Sequence, residues 1–186
     1  MRQQIRDTLK KIYLPLLQGW GFSLRYKRTG DADSWVAGED DLLVIRIRSS
    51  GEEVVIDNNW LSFRRRKYIV PAFLWRREDW DEFRKAVEDC ISIFILMLLR
   101  DFLIAEGWAK TDIDYGIDKK PYLHIKSLNV NIIFKMLSDS PEWLLRVLGM
   151  PERRVIWEIV KRKKVSPLLY FPEIKEVLRA TYLEGV

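Results

Sequence analysis

Apolar positions along this chain change period several times, and those changes divide it into elements. Ile5, Leu9, Ile12 and Leu16 recur at helical spacing, with Arg2, Arg6, Lys10 and Lys11 off that face. Pro15 is placed to kink this first helix, and Gly19 and Gly21 end it. Alternation follows. From Phe22 to Lys27, Phe22, Leu24 and Tyr26 share one side, while Ser23, Arg25 and Lys27 share the other. From Leu42 to Arg48, Leu43, Ile45 and Ile47 face inward, leaving Val44, Arg46 and Arg48 outward. Ser49-Ser50-Gly51-Glu52 is a turn signal, and Val54 to Ile56 returns as a strand. Strands of this kind form a meander with one solvated face, here carrying Arg25, Lys27, Arg46 and Arg48.

Asp79 to Gly107 reads as one long helix. Asp79 with Glu82 gives an N-terminal capping signal, and Gly107 a C-terminal stop. Its middle is apolar all round, the mark of a helix buried on several sides. Strand patterns then resume. Ile113, Tyr115 and Ile117 face inward over Thr111 to Ile117, then Leu123 and Ile125, then Val130, Ile132 and Phe134. The first helix ends in Gln18-Gly19-Trp20 and the long one in Glu106-Gly107-Trp108, each before a strand. That order admits two readings: an internal duplication, or two helices that each stop at glycine beside a core tryptophan.

The remainder predicts helices. Ser140-Pro141 starts one that Gly149 ends, Pro151 starts another through Lys163, and Phe171-Pro172 opens a last one toward Leu183. The expectation is an α+β fold: antiparallel meanders packed on a long central helix, with an all-helical C-terminal tail. A boundary near Ser138 to Ser140 separates a core of residues 1–137 from a helical module of residues 138–186, unless the two are continuous.

Composition narrows the class. At 186 residues, 48% hydrophobic and 32% charged, the chain can bury a core without disulfides or metals. The single Cys90 fits a reducing, cytoplasmic setting and reads as core. The longest apolar run, Ile91 to Leu99, is too short to span a bilayer. Scarce Asn and Gln beside plentiful Arg and Glu give a thermophile-like profile. A net charge of +5 and a pI near 9.3 favour acidic partners.

Candidate chemistry concentrates between Trp60 and Trp80. There Trp60, Phe63, Tyr68, Phe73, Trp75 and Trp80 interleave with Arg64, Arg65, Arg66, Lys67, Arg76 and Arg77. Cations hold phosphates and aromatic faces stack on unpaired bases, so the segment points to single-stranded nucleic acid. Arg64 to Lys67, Arg76, Arg25, Lys27, Arg46 and Arg48 would contact the backbone; Trp60, Phe63, Tyr68, Trp75 and Tyr122 would stack. Strict alternation, however, would split these aromatics from the cations and send some of them into the core.

Leu144 to Lys164, LLRVLGMPERRVIWEIVKRKK, resembles the helix-turn-helix family over about twenty residues, departing from it at the bulky Leu145 and Arg146. The resemblance implies a duplex reader in which Glu152, Arg153, Arg154, Trp157 and Lys161 face the groove. A third arrangement is acidic: Asp112 and Asp114, two apart on a strand, with Asp118 and with Glu39, Asp40 or Asp41, could hold Mg²⁺ in a nuclease. Asp-x-Asp is common, and a solvated or arginine-paired face explains it as well. His124, the only histidine, reads as an outward residue beside Tyr122 and Lys126. No phosphate-binding glycine loop, resident metal set or cofactor signature is present, so the expectation is a non-enzymatic binding protein. Its partner is nucleic acid, with a protein partner or a second copy as the alternative use of the tryptophan-rich surface.

Overall fold

A computed structural model describes residues 7–29, 32–37, 43–48, 54–58, 63–68, 76–117, 120–137 and 139–184. The chain divides into two compact units, Met1–Phe94 and Ile95–Val186. Each contains a helix that hands the chain to a five-stranded antiparallel meander.

In the first unit the helix α1 runs as a π-helical stretch, Leu9–Tyr13, and then as α-helix over Leu14–Gly19, with Pro15 where the one passes into the other. Leu9, Tyr13 and Leu17 are its fully buried face. Five strands follow, β1 (Leu24–Thr29), β2 (Ala32–Ala37), β3 (Leu43–Arg48), β4 (Val54–Asn58) and β5 (Phe63–Tyr68), hydrogen-bonded in sequence order. β2 is buried on both sides: Trp35 and Ala37 on one, Ser34 and Val36 on the other.

The long helix α2 spans Arg77–Ala105. Its N-terminus is capped differently from the sequence expectation. Asp79 lies inside the first turn, and its Oδ2 accepts the Arg76 backbone N–H at 2.8 Å, reaching back to a donor the helix leaves unpaired. Every residue from Cys90 to Met97 is buried, so the all-round apolar pattern does mark a core pillar. Ser92, the polar exception, donates its hydroxyl to the Glu88 carbonyl at 2.8 Å. Phe22 meets Phe94 edge-on at 4.7 Å, joining the start of the first meander to this helix. No helix among the described residues is long and apolar enough to cross a membrane.

In the second unit, a 3₁₀ turn at Lys110–Asp112 leads into β6 (Ile113–Ile117), β7 (Pro121–Ile125), β8 (Val130–Met136), β9 (Glu142–Gly149) and β10 (Arg154–Arg162), again paired in order. Inward residues alternate as expected: Leu123 and Ile125, then Val130, Ile132, Phe134 and Met136. A 3₁₀ turn, Pro167–Tyr170, precedes the last helix α3, Phe171–Glu184, which buries Phe171, Ile174 and Leu178.

The expected helices over Ser140–Gly149 and Pro151–Lys163 are β9 and β10. Trp143, Leu145 and Val147 are buried at spacing two, and Val155, Ile156, Ile159 and Val160 supply the β-branched content of a strand. β8 and β9 pair from Val130↔Gly149 to Met136↔Trp143, so one sheet carries both sides of the boundary placed near Ser138 to Ser140. The all-helical tail therefore reduces to α3. Trp143, fully buried, stacks near Phe134 and Tyr170 and donates its indole N–H to the Val165 carbonyl at 2.8 Å.

Both helix-to-strand junctions close in the same way. The Phe22 N–H reaches the Leu17 carbonyl at 3.0 Å and Gly21 reaches Gln18 at 2.9 Å; Trp108 reaches Leu103 at 3.0 Å and Gly107 reaches Ile104 at 3.1 Å. Gly21 and Gly107 hold φ of +92° and +101°. The equivalent positions are thus Gly21-Phe22 and Gly107-Trp108, two residues on from the Gly19-Trp20 pairing that the sequence suggests. An L side chain in this conformation costs about 1–2 kcal/mol. Gly107→Ala should destabilise the protein by that amount, read as a lower denaturation midpoint at unchanged slope.

Tyr13 provides a pH handle. Burial, reinforced by the Glu88 charge and partly offset by Arg84, holds its phenol well above the ordinary tyrosine range. A folded-state pKa raised above the unfolded value near 10 gives stability that is complete below pH 10 and falls as pH climbs beyond it. Melting temperatures above pH 10 should therefore decline less steeply in Tyr13→Phe than in the parent.

Candidate nucleic-acid interface

Register decides which cations share a face of the first sheet, because directly paired residues lie on the same side. Lys27 pairs with Ser34, Ser34 with Arg46, Arg46 with Val55, and Val55 with Lys67. The next row on that side reads Arg25, Val36, Val44, Asp57, Arg64. Thr29, Ala32 and Arg48 form a third. Among the described residues, the register thus puts Arg25, Lys27, Arg46, Arg48, Arg64 and Lys67 at positions on one side of the sheet, with Asp57 the acid among them. Arg25 and Lys27 are exposed, while the small Ser34 and Val36 between the charged rows are buried.

The opposite face takes the apolar set: Tyr26, Trp35, Ile45 and Ile56 form one row, which ends at Arg66. Phe63 pairs with Asn58 and Tyr68 with Val54, which puts both aromatics on this second face. Arg65 falls at the irregularity between the Ile56 and Asp57 pairs. The four-residue run Arg64 to Lys67 is therefore split, with Arg64 and Lys67 on the cationic face and Arg66 on the other. Trp60 and Trp75 lie outside the described residues. Arg76 is exposed just before α2.

On the outer face of the second sheet Lys126 meets Asp114 at 3.0 Å and Arg146 meets Glu158 across the β9–β10 pair. Asp114, His124, Asn131, Leu148 and Val155 form one row, and Gly116, Tyr122 and then Ile133, Arg146, Glu158 the next. A cleft of about 450 Å³ opens here, walled by Asn129, Met150 and Pro151 from the adjoining turns.

The duplex-reading hairpin is not a helix pair. Arg153 sits in the β9–β10 turn with φ +60°, and Arg154 begins β10. Trp157 donates its indole N–H to Glu173 at 3.0 Å, and the Lys161 ammonium lies 5.7 Å from the Tyr170 ring centre. Arg153, Arg154, Trp157 and Lys161 therefore present no recognition helix. The acidic trio is also reassigned. Asp112 belongs to the 3₁₀ turn, where its carboxylate accepts the Ser127 N–H at 2.8 Å and hydroxyl at 2.6 Å, fixing the turn after β7. Asp114 is committed to Lys126, and no cluster of three metal-ligating side chains occurs among the described residues. Asp118 and Glu39 to Asp41 lie outside them. Cys90 is a buried thiol.

Sequence reasoning named Tyr122 and His124 but missed Gly116 and Asn131. The available signal was a glycine inside an alternating strand, which marks close approach of a neighbour. No family model matches the chain, and neither a curated protein nor a solved structure matches it.

With both carboxylates engaged internally, millimolar Mg²⁺ or Mn²⁺ should leave the melting temperature unchanged. Asp112→Ala should instead lower stability by about 1 kcal/mol through loss of the turn, in the presence or absence of metal.

Proposed function

We propose that this protein binds single-stranded nucleic acid through the cationic face of its first sheet. The observation that supports the reading is the register: Arg25, Lys27, Arg46, Arg48, Arg64 and Lys67 fall on one side, with one acid among the described residues there. Alternate residues on a strand are about 6.8 Å apart, and every second strand about 9.6 Å away. That spacing lets a polyanion laid across the face meet several cations at once and release its own counterions. The mechanism is phosphate clamping without chemistry on the strand. Stacking from β5 is not part of it, since Phe63 and Tyr68 take the other face.

A protein-docking role has one observation of its own. β10 is an edge strand with Val155, Ile156 and Val160 exposed, and such edges accept further strands. The two readings separate in solution.

Oligonucleotide titrations at several salt concentrations test the first. Six phosphate contacts predict a slope of log K against log salt of roughly −4 for single strands. Replacing Arg25 and Lys27 by Ala should flatten that slope by about 1.4 and weaken binding at low salt. A parent protein that fails to bind at low salt, or a slope untouched by the double replacement, sinks the clamping reading and leaves the edge strand in front.

A further inference from the structure

The cleft on the second sheet has a construction that phosphate clamping does not use. Gly116 and Tyr122 are register partners, and a Cβ on residue 116 would come within 2.1 Å of the Tyr122 Cζ. The ring therefore lies down on the glycine, one face resting on the backbone and the other left to the cleft it lines. In the neighbouring row His124 Nδ1 stands 2.7 Å from Asn131 Oδ1. With Asn131 Oδ1 as the acceptor, Nδ1 is the donor; in the neutral ring Nε2 then keeps a lone pair, and Asn131 Nδ2 keeps its donors. Neither has a partner among the described residues. The facing wall is fixed in advance: Asn129 donates its side-chain amide to the Met150 carbonyl at 2.9 Å, and the Met150 N–H returns to the Asn129 carbonyl at 2.9 Å.

Ligand class follows from these parts. Asp114 and Lys126 neutralise each other beside the cleft, so nothing there selects a phosphate or another small anion. A flat aromatic floor bounded by one acceptor and one donor selects a flat ring that carries both on its edge. A volume of about 450 Å³ is that of a small-molecule site, open enough for the ring to remain tethered to a chain. The geometry points to a nucleobase site, in which an unpaired base of a bound strand stacks on Tyr122 with its edge hydrogen-bonded by Asn131 and His124. This deepens the nucleic-acid reading above and rests on it for the source of the base.

The sole histidine makes the test specific, because its ring protons give unambiguous NMR signals. Adenosine or cytidine titrated into the full chain should shift the His124 resonances saturably, while ribose 5-phosphate should not. Tyr122→Phe should preserve the response. Tyr122→Ala should weaken it about 5- to 150-fold, the range for loss of one stacked base, and Gly116→Ala should weaken it by pushing the ring off its seat. A single-stranded oligonucleotide should move the same resonances at lower concentration than the nucleosides. Nucleosides that leave His124 unmoved, ribose 5-phosphate acting equally well, or full affinity in Tyr122→Ala would each overturn the site. An oligonucleotide that binds without moving His124 would overturn the strand as its source. Nucleosides carry no phosphate, so their response should persist at high salt. Loss of oligonucleotide affinity with that response intact counts against the basic face alone, and the reverse result against the cleft alone.

Discussion

Each unit depends on a backbone closure at the end of its helix. The carbonyls of Leu17 and Leu103, both on fully buried residues, are tied to the first amides beyond the turn, those of Phe22 and Trp108. A buried carbonyl left unpaired would cost about 1–3 kcal/mol, so these bonds fix where the helix stops and how the strand departs. The glycine between them supplies the only backbone conformation that lets the sixth amide turn back to the first carbonyl. Strand direction is set there. Register then propagates outward through five antiparallel neighbours, and with it the side of the sheet on which each charge falls.

That propagation explains why the first sheet sorts its charges so sharply. β1 and β3 are joined through β2, whose residues Ser34 to Ala37 are buried on both sides. A one-residue slip would move Arg25 and Lys27 to the side of the buried Trp35 and Ala37. In the second sheet Arg146 pairs with Glu158 and Lys126 with Asp114. Exposed pairs of this kind contribute little to stability, about 0–1 kcal/mol.

Much of this was legible in the sequence where one face of an element is buried. Alternation gave β7 and β8, whose buried and half-buried residues follow it strictly, and all-round apolarity gave the buried centre of α2. It was illegible where two periods coincide or where no face is buried. Trp143, Leu145 and Val147 alternate, yet the intervening Leu144 and Leu148 also complete a helical pattern, and Pro141 and Gly149 imitate helix punctuation. β10 buries no residue, so its sequence carries no inward signal. The proposed site was legible in part. That Arg25, Lys27, Arg46 and Arg48 share a side follows from alternation alone, whereas the division of Arg64 to Lys67 depends on the irregularity opposite Asp57, which composition does not disclose.

The two proposed surfaces differ in what they would attract. Net positive charge spread over rows of a sheet attracts a phosphate chain without regard to sequence, because charge has no edge to read. A neutral recess with an aromatic floor and an oriented donor and acceptor does the opposite: it ignores charge and responds to the shape and polarity of a ring. Gly116 is the residue on which that second property turns. Any side chain there would lift Tyr122 off the sheet and remove the floor, while Asn131 fixes the His124 tautomer and so the polarity of its edge. Affinity and base preference would then reside in different residues and respond differently to salt, since only the phosphate contacts release counterions.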